Sequence, residues 1–236
     1  MPKSIDAHSL NVLEQKGILP TPWDRAVFGF KTYEIQTVTQ EVLEAVQNLP
    51  GHFTVKVSSL SSKKLLDQYG FYYCDTLIEP YCDKKNFISH EDNRISLSKE
   101  VDVESLVRLT HGSFIGRFHR DFNVDPERAD ARYDQWLRQL DREGKVTSLL
   151  YSQELAGFFA SLDNHIVLHA LGESFRNRGL AKFFWTPACL ELFSKGFEEI
   201  TSSVSISNAR ALNLYLSLGF KLRRPLDVYH RWVSSQ

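Results

Sequence analysis

The chain has 236 residues, of which 42% are hydrophobic and 24% are charged, which is ordinary for a globular protein. A chain of this length can bury a full core and could form one large domain or two small ones. Its formal net charge of −1, without a long basic run, argues against a general affinity for nucleic acid or anionic membranes. Its apolar stretches fall far short of the roughly 20 residues that a membrane helix needs.

Cysteine usage and the first residues favour a reducing, cytoplasmic setting. Cys74, Cys82 and Cys189 are odd in number and scattered, so they form neither a disulfide framework nor a zinc motif. Cys74 and Cys82 could pair, although two free thiols are the simpler interpretation. The opening sequence M-P-K-S-I-D-A-H has no apolar core, which predicts that there is no signal peptide.

The first part of the chain contains strand and helix patterns between polar ends. Residues 1–20 are polar with a few leucines, and we expect an N-terminal arm there. Alternating apolar residues predict strands, and apolar residues on one helical face predict helices. The predicted strands are 28–38, 52–58 and 71–81, and the predicted helices are 39–48 and 61–69. The polar stretch 82–93 is a predicted linker that closes this part near residue 94.

A second and longer series of elements runs from residue 95 to 236. Strands are predicted at 95–97, 146–151, 154–162, 165–171, 199–206 and, as one or two strands, within 220–233. Helices are predicted at 103–110, 131–142, 179–195 and 209–218. The segment 112–130 is irregular and rich in Phe, Arg, His and Asp. The mixture of helices and strands predicts an α/β (α+β) fold class.

The two parts share a faint internal repeat. The sequence T-V-K-V-S-S-L-S-S-K-K-L-L-D-Q-Y-G-F at 54–71 echoes S-S-V-S-I-S-N-A-R-A-L-N-L-Y-L-S-L-G-F at 202–220. Aligning Gly70 with Gly219 places Leu66 opposite Tyr215. We interpret this as a partial copy followed by a complete one, and chance similarity of two strand–helix units is the alternative.

Two motifs stand in the second part. The first, R-N-R-G-L-A at 176–181, follows an apolar strand and opens a helix. Free N–H groups at a helix start, and the positive end of its dipole, favour a bound diphosphate. The second, S-N-A-R-A-L-N-L-Y-L-S-L-G-F at 207–220, places a tyrosine on a short helix directly after a strand. An ordinary basic loop and a core aromatic are the structural alternatives.

Together the motifs resemble those of the GNAT superfamily of N-acetyltransferases, written R/Q-x-x-G-x-G/A and N-x-x-A-x-x-L-Y-x-x-x-G-F. The resemblance implies the GNAT fold, a mixed central sheet flanked by helices, as a complete domain over 95–236. Residues 21–94 would then be a partial GNAT-like half with its linker, after the arm at 1–20.

The resemblance also implies acetyl-CoA as cosubstrate and assigns residues to it. The strand before the first motif would bind the pantetheine arm through its backbone, and the loop would bind the diphosphate. The cofactor-binding candidates are Leu168, Ala170, Leu171, Arg176, Asn177, Arg178, Gly179, Leu180, Ala181 and Asn208. Tyr215 would be the general acid that protonates the departing thiolate.

A general base is harder to assign from the sequence. Asp75 lies five residues after Gly70 and is the catalytic candidate, and Glu79 lies on the same strand. His119, Asp121 and Asp125 lie in the irregular segment, and each is taken singly as a solvated polar residue. They lack a recognised ligand spacing, so no metal is predicted.

A narrower resemblance concerns the acceptor. W-D-x-x-x-F-G from Trp23, S-F-I-G-R-F-H-R-D at 113–121 and Y-x-x-W from Tyr133 look like the bacterial TDP-fucosamine acetyltransferases, which acetylate a nucleotide-linked 4-amino sugar. That group implies a carboxylate at the place of Asp75. It also implies the substrate-binding candidates Trp23, Phe28, Arg117 and His119, with core packing as the alternative for Trp23 and Phe28.

Three functions stay open from the sequence: acetylation of a nucleotide-linked amino sugar, acetylation of another amine, and acyl-CoA binding without catalysis. The other amines include a peptide N-terminus, an antibiotic or a polyamine, because loops and not the fold set the acceptor. The expected partners are small molecules, and a homodimer is left open.

Overall fold

The computed structural model describes residues 12–234 and divides them between two units, each made of separate chain segments. The first unit contains residues 12–76, 116–132 and 225–234, and the second contains residues 77–115 and 133–224. The predicted division into 1–20, 21–94 and 95–236 follows the sequence repeat and stays a prediction.

The second unit is built on a mixed sheet. Its strands are β4 (Tyr72–Asp83, from residue 77), β5 (Ile95–Ser98), β6 (Val146–Tyr151), β7 (Glu154–Leu162), β8 (His165–Leu171), β9 (Glu199–Ser202) and β10 (Val204–Ser205). The order is β4-β9-β8-β7-β6-β5, with β10 also pairing with β4. Only β8 and β9 pair in parallel, and the other pairs are antiparallel.

Alternation along these strands sends successive side chains to opposite faces. Phe159 joins one buried cluster and Phe158 the other. Helices α6 (Ala181–Ser194) and α7 (Ala209–Ser217) contribute to the first cluster, and α4 (Val103–Thr110) and α5 (Pro126–Arg142) to the second. The predicted mixed sheet flanked by helices is therefore confirmed.

The first unit has its own strands and core. Its strands are β1 (Ile18–Pro20), β2 (Thr32–Ile35), β3 (Gly51–Ser58), the first residues of β4 and the last part of β11 (Lys221–Val233). β2 and β3 are parallel, whereas β1 pairs antiparallel with β2 and β11 with β3. Its helices are α1 (Pro22–Phe28), α2 (Gln40–Gln47) and α3 (Lys64–Gln68).

The largest disagreement with the sequence prediction is at 28–38. The structure places a helix over Pro22–Phe28 and a strand only over Thr32–Ile35. Proline at the helix start and Gly29 in a left-handed conformation (φ 78°) at its end are start and stop signals that the alternation obscured.

Smaller differences concern element ends. Part of the expected N-terminal arm, Ile18–Pro20, pairs as a strand with β2, and residues 1–11 lie outside the described residues. The helix predicted at 131–142 begins at Pro126, and the strand predicted at 199–206 is two strands, β9 and β10.

The two segments of the predicted repeat, 54–71 and 202–220, end their helices in the same way. Gly70 and Gly219 are both left-handed, with φ of 69° and 85°. The N–H of Phe71 donates to the carbonyl of Leu66 at 2.9 Å, and that of Phe220 donates to the carbonyl of Tyr215 at 3.0 Å. Both pairs close a helix C-terminus immediately before a long strand, as the alignment of Gly70 with Gly219 predicts.

Candidate active site

Strands β8 and β9 separate within the sheet of the second unit. They pair at only two positions, His165 with Thr201 and Ile166 with Ser202. Beyond these pairs β8 continues to Leu171, held only by β7 among the described strands. The edge of 167–171 that faces away from β7 therefore offers backbone N–H and C=O groups without a strand partner.

The loop after β8 leads into α6 without a side-chain cap. Leu180 occupies the cap position and makes no side-chain hydrogen bond to the helix start. The first-turn N–H groups of a helix lack intrahelical partners, so this end of α6 can bind an anion. The loop residues Asn177, Arg178 and Gly179 are exposed.

Gly179 is suited to close approach of a ligand. Its φ is 69°, and a Cβ built at this position would meet no atom within 4 Å. Open space above a left-handed glycine is what a bound diphosphate would occupy. The backbone of the loop therefore leaves room for the predicted diphosphate at Gly179.

Arg176 is placed differently from the expectation that its charge faces the diphosphate. Its Nε donates to the carbonyl of Leu171 at 2.6 Å, and its Nη2 donates to the hydroxyl of Ser113. The guanidinium therefore fastens the loop to the end of β8. Arg178 is exposed and donates to the carbonyl of Ser174 at 3.2 Å.

Tyr215 lies in α7 with no exposed surface. Its hydroxyl donates to the Ser202 hydroxyl at 3.0 Å and lies 2.8 Å from Nε2 of His169. Ser202 in turn donates to the carbonyl of Ile166 at 2.9 Å. These contacts lie where β8 and β9 stop pairing.

Burial determines the ionisation of this group of side chains. Burial raises the pKa of Tyr215 above its ordinary value, against the lowering effect of its hydrogen bond with Ser202. Burial also lowers the pKa of His169 to about 4. The phenol therefore keeps its proton and the imidazole is neutral at pH 7. The buried indole of Trp185 packs edge-on against His169.

The other cofactor candidates divide into backbone and capping roles. Leu168 and Ala170 turn their side chains into one core cluster and Leu171 into the other, so these three residues can offer only backbone to a ligand. Asn208 caps α7, since its Oδ1 accepts from the N–H of Ala211 at 3.1 Å.

Asp75 is buried in the first unit and already has hydrogen-bond donors. Its carboxylate accepts from the N–H of Thr76 at 2.9 Å and the N–H of Arg117 at 3.2 Å, and it lies 3.3 Å from Nη1 of Arg120. It therefore holds the 3-10 turn Arg117–Arg120 in place. Its role as a base stays a prediction.

The acceptor-side candidates are not alike in exposure. Trp23 is 56% exposed on α1, whereas Phe28 is fully buried, stacks with Phe30 and packs at a tilt against Phe118. Phe28 is therefore a core residue, which is the alternative that the sequence left open. Arg117 lies over the ring of Phe118 at 4.1 Å, and Nε2 of His119 is 3.0 Å from Asp130.

A buried polar cluster in the first unit was missed by the sequence analysis. Oδ2 of Asp121 lies 2.7 Å from Nε2 of His52 and 2.6 Å from Nδ1 of His230, and its Oδ1 accepts from Tyr72 at 2.8 Å. Asp121 was taken singly as a solvated residue, which is wrong because its side chain is buried. Its partners lie 49 to 109 positions away, so no local pattern could reveal them.

Burial opposes ionisation of Asp121, but the hydrogen bonds with His230 and His52 outweigh it and hold the pKa of the carboxyl below its ordinary value. Among the described residues, His52, Asp121 and His230 form the group that could hold a metal ion, with ligand atoms within 4.8 Å of one another. Their contacts of 2.6 and 2.7 Å are hydrogen-bond lengths. The ligand atoms of a tetrahedral zinc ion lie roughly 3.3 Å apart, given bonds of about 2 Å, which is longer than either contact.

Comparisons with known proteins bear on the second unit in particular. Residues 108–220 match the family model described as the acetyltransferase (GNAT) family. That match spans both motifs, the separating strands and α7. The chain has the GNAT fold. No curated protein sequence matches it.

Solved structures with the GNAT fold resemble the chain at low sequence identity. A GNAT acetyltransferase from Colwellia psychrerythraea has a TM-score of 0.58 at 13% identity, covering 98% of this chain and 99% of that one. A GCN5-related N-acetyltransferase from Sphaerobacter thermophilus has a TM-score of 0.58 at 12% identity, covering 80% of this chain and 62% of that one. The chain therefore spans less than two thirds of the latter structure.

A third GNAT structure is a tandem protein. It comes from the clavulanic acid biosynthesis pathway and has a TM-score of 0.56 at 9% identity, covering 87% of this chain and 76% of that one.

None of the helices in residues 12–234 combines the length and apolar character needed to cross a bilayer.

Proposed function

We propose that this protein is an acetyl-CoA-dependent N-acetyltransferase of the GNAT superfamily. The observation that carries the proposal is the separation of β8 and β9 after Ile166 and Ser202. It places an unpaired strand edge, the uncapped start of α6 and the hydroxyl of Tyr215 in one unit. The GNAT family match over residues 108–220 supports the same activity.

The cosubstrate would be bound mainly by backbone. The edge of 167–171 would pair with the amides of pantetheine, as a neighbouring strand would. The start of α6 and the loop through Gly179 would bind the diphosphate, with Arg178 near its charge and Arg176 holding the loop. The open space above Gly179 is consistent with a ligand here.

Tyr215 would serve as general acid. Attack of a neutral amine on the thioester carbonyl forms the amide C–N bond and breaks the C–S bond. The nitrogen loses one proton, and the thiolate takes up one proton. Tyr215 can supply this proton only if its hydroxyl turns away from Ser202. Because burial raises its pKa, we expect Tyr215 to share its proton with sulfur in a strong hydrogen bond.

For the acceptor we propose the amino group of a nucleotide-linked amino sugar, such as a TDP-4-amino-4,6-dideoxyhexose. The support is the sequence resemblance around Trp23, Arg117 and His119. Trp23 is exposed, as ligand contact requires, and Asp75 anchors the turn that carries Arg117 and His119. We further propose that the first unit derives from a partial GNAT-like half, because Gly70 and Gly219 close matching helices and a tandem GNAT structure shares the fold. We also propose that the enzyme is cytoplasmic.

Incubation with acetyl-CoA and a panel of amines tests the function and the acceptor together. The panel contains TDP-4-amino and UDP-amino sugars, a peptide with a free N-terminus and a polyamine, and products are detected by mass spectrometry. We expect an added acetyl group on the TDP-amino sugar. Transfer to another amine would overturn the acceptor alone, and tight acetyl-CoA binding without any transfer would favour a binding module.

Asp75→Asn tests the acceptor-side carboxylate. We expect kcat/KM for the amine to fall, most at low pH where the amine is protonated, because the charge that attracts the ammonium and accepts its proton is lost. The Kd for acetyl-CoA should not change, since every cofactor candidate lies in the other unit. An unchanged kcat/KM would place the base elsewhere, with His119 as the next residue to test.

A further inference from the structure

The contacts around Tyr215 form a chain of hydrogen bonds whose direction can be determined. The carbonyl of Ile166 can only accept, so the single proton of Ser202 is committed to it. Tyr215 must therefore donate its own proton to Ser202. The remaining contact, 2.8 Å between the Tyr215 oxygen and His169 Nε2, can then be a hydrogen bond only if the imidazole donates.

This assignment fixes the tautomer of His169. A neutral imidazole carries one proton, and that proton must be on Nε2, which leaves Nδ1 as an acceptor. Tyr215 and Ser202 are buried at 0% and 2% exposure, so water cannot easily replace a missing partner. The ring of His169 also packs edge-on against Trp185 at 4.7 Å, which limits its rotation.

We propose that His169 is a positioning residue for Tyr215: its Nε2–H donates to the phenol oxygen and holds that oxygen in place. This inference rests on the proposed acetyl transfer. An N–H donated to the phenol oxygen stabilises negative charge there. When Tyr215 shares its proton with the departing thiolate, negative charge develops on its oxygen, and the N–H of His169 stabilises that charge.

His169 gives no sign of this role in the sequence. It lies in the strand assigned to the pantetheine arm, but it belongs to neither motif. Its position on β8, two residues before Leu171, places it beside the unpaired strand edge. The same strand provides a matched control, because Nδ1 of His165 is 2.7 Å from the Thr201 hydroxyl and no hydrogen bond joins that pair to Tyr215.

The kinetic test compares His169→Leu, His169→Gln and the control His165→Leu, with each variant first checked for folding by thermal denaturation. His169→Leu should lower kcat about tenfold, the effect of one hydrogen bond in the transition state, with the Kd for acetyl-CoA within about twofold of wild type. His169→Gln keeps an N–H donor and should recover most of kcat. His165→Leu should leave kcat unchanged.

A double variant tests whether His169 acts through Tyr215. In a Tyr215→Phe background, His169→Leu should cause no further loss of kcat, because the hydroxyl that it positions is already gone. The proposal would be contradicted if His169→Leu lowered kcat by the same factor with and without the Tyr215 hydroxyl. A His169→Leu enzyme with wild-type kcat would contradict it as well.

Nitrogen NMR of ¹⁵N-histidine-labelled protein gives a measurement that is independent of activity. At pH 7 we expect His169 to be protonated on Nε2 and bare on Nδ1. A proton on Nδ1 would overturn the inference whether or not the enzyme is active. The expected tautomer in a protein that transfers no acetyl group would support the hydrogen-bond chain and contradict the proposed function instead.

Discussion

Tyr215 shows how the surroundings of one residue determine its chemistry. The motif identifies a tyrosine on a short helix, but it cannot reveal that the hydroxyl is buried and bonded to both Ser202 and His169. Both partners lie on strands rather than on α7, so their contact depends on tertiary packing. Burial keeps the phenol protonated, which the proposed general-acid role requires.

Removing the Tyr215 hydroxyl should abolish most of the activity while leaving the fold intact. Tyr215→Phe keeps the ring that packs against Phe220 and removes only the hydroxyl. If that hydroxyl is the proposed general acid, kcat should fall by roughly 10²–10⁴. Tyr151→Phe removes a hydroxyl from β6 of the same unit and serves as the control in steady-state assays. A Tyr215→Phe enzyme with near-normal kcat would mean that another group or water protonates the thiolate.

The half-buried imidazole of His169 should make stability depend on pH. Its pKa in the folded protein is about 4, below the unfolded value of about 6.5, so the unfolded chain binds the extra proton first. Its contribution is fully present above pH 6.5 and is lost as the pH falls toward 4. Urea unfolding between pH 4.5 and 7.5 should show a smaller pH slope for His169→Gln, and parallel slopes would contradict this account.

At the scale of elements, local pattern predicted best where strand and turn signals coincide. Strands β6, β7 and β8 have the predicted ends, because apolar runs are separated by two-residue turns in which Ser152, Gln153 and Asp163 adopt positive φ. The segment 112–130 could not be predicted. Its 3-10 turn at Arg117–Arg120 has no periodic pattern, and it is fixed by distant groups such as Asp75.

Asp121 should be the side chain that holds this segment in the first unit. Asp121→Asn replaces an acceptor of several buried hydrogen bonds with an amide, which leaves buried donors unsatisfied, and each such group costs about 1–3 kcal/mol. We expect the free energy of unfolding to fall by about 3 kcal/mol in urea denaturation.

The control for Asp121 is Asp134→Asn. Asp134 also pairs with a histidine, His111, at 2.8 Å, but that histidine is 55% exposed, so the loss should be under about 1 kcal/mol. Equal losses for the two variants would show that the buried cluster contributes nothing special. Metal analysis of the purified wild-type protein should find less than one equivalent, and a bound stoichiometric metal would contradict the hydrogen-bond description.

At the scale of the whole molecule, the sequence predicted the fold class but not the composition of the units. Segments 116–132 and 225–234 join the first unit, although they follow or interrupt the GNAT pattern in the sequence. Strands β4 and β11 each supply residues to both units. This sharing of strands between the two units depends on long-range strand pairing, which a local sequence pattern does not encode.

Calorimetry with Gly179→Asp tests whether acetyl-CoA binds along β8 and at the start of α6. Gly179 and Gly144 have φ of 69° and 66° and open surroundings, so Gly144→Asp matches the backbone strain without touching the loop. We predict that Gly179→Asp lowers acetyl-CoA affinity by about 10²-fold or more, since a carboxylate would face the diphosphate, while Gly144→Asp binds as wild type. Equal affinity in all three proteins would contradict the account.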